Sequence, residues 1–124
     1  MSKIRSKNTK PELILKNLLK GKYLRYQPKG ILGNPDFASK QYKLAIFIDG
    51  DFWHGYNWKK LGKVPPKDFW QEKITKNIRR DTKYNKALKK NGWVVLRIWE
   101  HQILNNPHTF TLKIDNLIYK LRNL

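Results

Sequence analysis

Cysteine is absent from this 124-residue sequence. Disulfides and thiolate zinc sites are therefore excluded, and the composition suits a reducing cytoplasm. Acidic residues are scarce, with nine Asp and Glu against 27 Lys and Arg, a formal charge of +18 and a pI near 10.2. Such a field attracts polyanions, nucleic acid first among them. A non-catalytic nucleic-acid-binding protein has the same balance, so charge alone does not define an enzyme. No run of 18 apolar residues occurs, and no membrane span is expected. The basic N-terminus has no apolar stretch behind it and is not expected to act as a secretory signal.

What is present is more specific. Five Trp, six Tyr and five Phe are many for a purely electrostatic binder and suit a packed domain that contacts bases. Leu44-Ala45-Ile46-Phe47-Ile48 is a continuous apolar run that predicts a buried strand. It ends in Asp49-Gly50-Asp51-Phe52-Trp53-His54, so a core strand delivers acids, flat aromatics and an imidazole to its tip. The length predicts one domain, with residues 1–8 (Lys3, Arg5, Lys7) as a basic arm and residues 9–124 as the body.

Thr9-Lys10-Pro11-Glu12 predicts a capping box opening a helix that Gly21 ends, with Leu13, Leu15, Leu18 and Leu19 as its apolar positions. Residues 23–27 read as a strand, 28–35 as a turn-rich segment, and 36–39 as extended chain. A bend at Lys40-Gln41 leads into a central strand over 42–48. The segment from Gly50 to Lys67 is long enough to be a functional loop. Asp68 to Asn91 is expected to be a helix closed by Gly92. Trp70, Ile74, Ile78 and Leu88 are its apolar positions, while Lys76, Arg79, Arg80, Lys83, Lys86 and Lys90 form a basic stripe. A strand over 93–99 and a helix from about His108 to Arg122 complete the chain, the helix carrying Phe110, Ile114, Leu117, Ile118 and Leu121 on one face. The three consecutive strands are expected to pair antiparallel under helices. The whole is an α/β fold, a mixed sheet flanked by helices with an extra C-terminal helix. Its αβββαβ order resembles the core of restriction-endonuclease-like nucleases.

Asp36 opens one strand and Asp49 closes the next, so a chain reversal between them brings both carboxylates to one end of the hairpin. Two hard oxygen ligands there suit Mg²⁺, which keeps several waters and bridges to phosphate; Mn²⁺ is a natural substitute. Pro35-Asp36 and Asp49-Gly50 are also ordinary turn pairs. His54, five residues past Asp49, is placed to move a proton as general base or acid, although a lone histidine is often structural. His101 follows the last strand; a transition-metal site from Asp49, Asp51, His54 and His101 lacks tight ligand spacing. Phe52 and Trp53 are candidates for a wedge between base pairs, as is Trp70, whose helical spacing also fits a core role. The basic stripe reads as phosphate-contacting or as a solvated face.

These residues resemble the very short patch repair endonucleases, which nick DNA beside a T·G mismatch. The match runs through residues 4–12, Gly33-Asn34-Pro35-Asp36-Phe37, Ile46-Phe47, Gly50 and Phe52-Trp53-His54-Gly55. It continues through Phe69-Trp70, Lys73-Ile74, Asn77, Arg80-Asp81, Gly92-Trp93 and Trp99-Glu100, in order from about residue 2 to 101. The resemblance implies that Asp36 is the essential metal ligand, His54 the catalytic histidine, and Glu12 the acid assisting a metal-bound water. It makes Phe52, Trp53 and Trp70 the intercalating aromatics and the N-terminal segment a DNA-contacting arm. The departures are equally informative. Ile48-Asp49-Gly50-Asp51 stands where the family usually has Thr-His-Gly-Cys. The structural zinc ligands are replaced by Asp51, Tyr56, Trp58 and His101, so no zinc is expected. Asp49 moves the site toward the two-carboxylate PD-(D/E)xK pattern, whose Lys is missing, leaving His54 or Lys59 to substitute.

The sequence thus predicts a Mg²⁺-dependent DNA endonuclease that nicks one strand of mismatched double-stranded DNA, acting as a monomer or homodimer at the nucleoid of a prokaryotic-type cytoplasm. Asp36 and Asp49 are its metal ligands. Lys3, Arg5, Lys7, Lys76, Arg79, Arg80 and Lys83 are its phosphate contacts. A restriction- or homing-type cutter of matched sites, and a non-catalytic basic binder, are the alternatives.

Overall fold

In a computed structural model of the chain, the structure describes residues 9–51, 55–56, 62 and 68–123. Helix α1 (Lys10–Leu18) leads to strands β1 (Arg25–Tyr26), β2 (Phe37–Ser39) and β3 (Leu44–Asp49). Helix α2 (Asp68–Lys90), strand β4 (Val94–Trp99) and helices α3 (Glu100–Asn105) and α4 (Pro107–Arg122) follow. The sheet order is β1-β2-β3-β4. The first two pairings are antiparallel and β3 pairs with β4 in parallel. This is the expected αβββαβ core with a mixed sheet. Helix α3 was not expected.

The apolar run of β3 is explained by its place. A central strand with neighbours on both edges and helices on both faces has little need of polar positions, and four consecutive residues from Leu44 are buried. One face of the sheet meets α1, α3 and α4 in a core of Leu15, Leu19, Phe37, Leu44, Ile46, Leu96, Ile98, Ile103, Ile114 and Ile118. The other face lies under α2 and holds a smaller set, Ile31, Ala38, Ala45, Phe47 and Leu88, with Trp93 and Val95 against it.

Two termini of helices differ in how well local pattern describes them. The C-terminus of α2 matches it: the Gly92 amide donates to the Lys89 carbonyl at 3.0 Å and the Trp93 amide to the Leu88 carbonyl at 3.0 Å. That is a Schellman motif, which needs the left-handed backbone of Gly92 (φ +86°) and is sealed by Trp93 packing near Leu88. The N-terminus of α1 does not. Thr9 makes no side-chain cap bond, and Glu12, buried rather than exposed, turns away from the helix start. The expected capping box is therefore not formed. Pro11 in the first turn still suits the helix, since it has no amide to satisfy.

Candidate active site

Side-chain alternation along paired strands decides which residues share a face. Phe37 is opposite Ile46 and Ala38 opposite Ala45, while Phe47 pairs with Arg97 and Asp49 with Trp99 across the parallel pair. Ala38, Ala45, Phe47, Asp49 and Arg97 therefore share the α2 face, while Asp36 stands at a bend just before β2. Both acids are at the end of the sheet where β2 begins and β3 ends, as the hairpin argument predicts.

Asp36 is 8% exposed. Its amide donates to the Ile46 carbonyl at 2.9 Å and its carbonyl accepts the Gln27 amide at 2.7 Å. Where the chain turns away at Asn34-Pro35, the ladder can no longer satisfy the Ile48 amide. The Asp36 carboxylate takes it instead, with Oδ2 accepting at 2.6 Å. The carboxylate is thus oriented by the strand it serves.

Asp49 is 6% exposed and accepts from Arg97 Nη1 at 2.7 Å. Arg97 is the node of this face. Its Nε donates to Asn85 Oδ1 at 2.8 Å, its Nη2 lies 3.7 Å from Asp81 Oδ1, and its guanidinium stacks 4.0 Å over the Phe47 ring. One planar cation therefore ties β3, β4 and α2 together. Sequence reasoning missed it, although a single charge inside the apolar strand Val94-Val95-Leu96-Arg97-Ile98-Trp99 is a usable signal: a charge in a buried strand has to be paired.

Glu12 comes from α1, on the opposite face. It accepts the Tyr26 hydroxyl at 2.5 Å, and Gln27 Nε2 lies 3.5 Å from the same oxygen and 3.2 Å from Tyr26 Oη. Glu12 of α1 and Asp36, just before β2, are therefore linked through β1 and the residue after it. Neither Tyr26 nor Gln27 was singled out from the sequence.

Phe52, Trp53 and His54 lie outside the described residues, as do Lys3, Arg5 and Lys7. The residues flanking that tip are placed. The Asp51 amide donates to Glu100 Oε1 at 2.9 Å, and Asp51 Oδ1 is 2.9 Å from His101 Nδ1. Tyr56 donates its amide to the Asp51 carbonyl at 2.8 Å, and its ring lies against those of His101 and Trp99. At Gly55 (φ +74°) a Cβ would come within 2.9 Å of Ile74 and Ile78, so only glycine lets the chain pass this close to α2. Three of the positions that replace zinc ligands thus meet as a hydrogen bond and a ring stack; Trp58 is outside the described residues. Among the described residues no group of three His, Cys, Asp or Glu forms a potential metal cage.

Trp70 is half-buried, edge-on to Phe69 at 4.9 Å between ring centres. Phe69 is more exposed, at 55%. Lys76, Arg79, Arg80 and Lys83 are all exposed on α2. Lys76 and Arg79 share a surface cleft with the acids Asp68 and Glu72, so the stripe is mixed in charge near the helix start and purely basic beyond it.

The fold and its acid-bearing sheet end define the class: a PD-(D/E)xK-type nuclease core. Comparison with known proteins narrows this. The family profile "DNA mismatch endonuclease Vsr" matches residues 1–60. The type II nicking enzyme V.HpaIIP of Haemophilus parainfluenzae is 47% identical over 120 residues, covering 94% of this chain and 85% of that protein. The type II nicking enzyme V.NmeDIP of Neisseria meningitidis serogroup C is 44% identical over 122 residues, covering 95% and 82%. The DNA mismatch endonuclease Vsr of Escherichia coli is 40% identical over 104 residues, covering 81% and 66%. The chain belongs to this family of Vsr and type II nicking endonucleases. Among the described residues no helix is long and apolar enough to cross a membrane.

Proposed function

We propose that the protein is a Mg²⁺-dependent DNA endonuclease that nicks one strand beside a T·G mismatch, the incision step of very short patch repair. The observation that carries this is the pair of buried carboxylates, Asp36 just before β2 and Asp49 at the end of β3, at one end of the sheet, in a chain whose relatives are named mismatch endonucleases and nicking enzymes.

Two carboxylates with the remaining positions left to water and phosphate fit Mg²⁺, which seldom takes an all-protein cage. Asp36 and Asp49 would hold it, and Mn²⁺ equally. When bound, the ion polarises the scissile phosphate and acidifies a water. The chain's own groups do the rest. Ile48 orients the Asp36 carboxylate through its amide. Arg97 fixes Asp49. Glu12 orders the attacking water, and His54 moves its proton. Phe52, Trp53 and Trp70 open the base stack at the weakened step. Lys76, Arg79, Arg80 and Lys83, with Lys3, Arg5 and Lys7, neutralise phosphates.

The test uses a supercoiled plasmid and paired T·G and T·A oligonucleotide duplexes, in Mg²⁺ and in EDTA. The expected result is Mg²⁺-dependent nicking of the T·G duplex that disappears in Asp36→Ala while DNA binding survives. Equal cutting of both duplexes removes the repair role. Absence of cleavage on any DNA with Mg²⁺ or Mn²⁺ overturns the enzyme.

A further inference from the structure

Gln27 combines three features. It is half-buried immediately after β1, its backbone is left-handed at φ +46°, and its two ends reach two different candidate acids. The backbone amide donates to the Asp36 carbonyl at 2.7 Å. The side-chain amide donates to Tyr26 Oη at 3.2 Å and approaches Glu12 Oε1 at 3.5 Å. The Tyr26 hydroxyl, accepting from Gln27, donates in turn to Glu12 Oε1 at 2.5 Å. The chain of donors runs in one direction and ends on the carboxylate.

The left-handed conformation is costly for a residue with a Cβ and a long side chain. Glycine or asparagine would adopt it more readily, and neither is present. Strain of this kind persists where surrounding contacts over-determine the residue, and it concentrates at functional sites. An extended Gln27 would continue β1 and point its side chain away from the Glu12–Tyr26 pair. The kink turns the amide onto the pair while keeping its backbone on Asp36.

We propose that Gln27 is a positioning residue for phosphodiester cleavage. It holds the Glu12 carboxylate, through the Tyr26 hydroxyl, in fixed relation to Asp36 across the edge of the sheet. This rests on the reading of Asp36 and Glu12 as active-site acids.

Gln27→Gly separates positioning from folding, because glycine keeps the left-handed backbone without strain and deletes only the amide side chain. The measurements are Tm, the single-turnover nicking rate on a T·G duplex in Mg²⁺, and Kd for that duplex in EDTA, for Gln27→Gly, Glu12→Ala, their double variant and Asp36→Ala. The expected outcome is a Tm at or above that of the parent, an unchanged Kd, and a nicking rate reduced at least tenfold. The double variant should nick no more slowly than Glu12→Ala alone, since both changes remove one arrangement. A Gln27→Gly rate within twofold of the parent, with Asp36→Ala inactive, overturns the proposal and leaves the nuclease reading intact. Multiplicative losses in the double variant overturn it too, because Gln27 then acts apart from Glu12. So does a Tm that falls together with the rate, which makes Gln27 a folding residue. Parental nicking by Asp36→Ala removes the underlying reading itself.

Discussion

The two faces of the sheet are built on opposite principles. The face under α1, α3 and α4 is a continuous apolar core of ten buried side chains, all Leu, Ile or Phe. The face under α2 pairs two alanines with one large ring at Phe47, and fills the remaining volume with Asp49, Arg97, Asn85 and Asp81. Apolar burial stabilises in proportion to the area removed from water, whereas a buried ion pair barely offsets its own desolvation. The first face therefore holds the fold and the second holds a geometry. Small residues at Ala38 and Ala45 leave the room in which charged groups can be arranged.

This contrast can be broken from either side. The largest effect is expected at Asp36: Asp36→Ala should lower nicking by about 10³-fold or more, read in single turnover, with a Kd for DNA near the parental value. In the apolar core, Ile114→Ala should cost about 2–5 kcal/mol in denaturant unfolding, and nicking per folded molecule should stay within about twofold. Loss of stability without loss of rate there, and the reverse at Asp36, is the signature of a core divided from the acid-bearing end of the sheet; equal losses in both would dissolve the division. Arg97→Ala should sit between, costing about 2–3 kcal/mol because it strands the buried Asp49 carboxylate. Asp49→Asn in the same chain should recover part of that loss, measurable as a coupling in a double-variant cycle. The smallest effects belong to the exposed stripe. If about six phosphates are neutralised, log K should fall with log salt at a slope near −5. Lys83→Ala should flatten that slope by about 1 and leave stability within about 0.5 kcal/mol.

How much of this could be read from the chain follows from where each residue finds its partners. The β3 run, the spacing of Ile74 and Leu88 on α2, and Gly92 at its end are local patterns, and each predicts what is seen. Asp36 and Asp49 were also legible, since a strand opening and a strand closing on acids bring them to one end of any hairpin. The failures are places where a tertiary partner wins or where no local cue exists. Thr9 and Glu12 have the capping-box spacing, but a phenol from β1 takes the carboxylate. Trp93 looks like a strand residue by composition and instead seals the end of α2. Helix α3 has a single buried residue, Ile103, too few for a periodic signal. The left-handed turn at Gln27 carries no composition cue, because no local rule asks for glutamine there.

The parallel pairing of β3 with β4 also has a consequence during synthesis. Asp49 and Arg97 are partners separated by 48 residues. At roughly 5–20 residues per second, Arg97 is added to the nascent chain about 2–10 s after Asp49. Until then β3 has an open edge and Asp49 lacks its guanidinium. A nascent chain that ends within α2 therefore carries the β2–β3 hairpin with the Asp49 carboxylate still lacking the guanidinium that pairs with it in the finished fold.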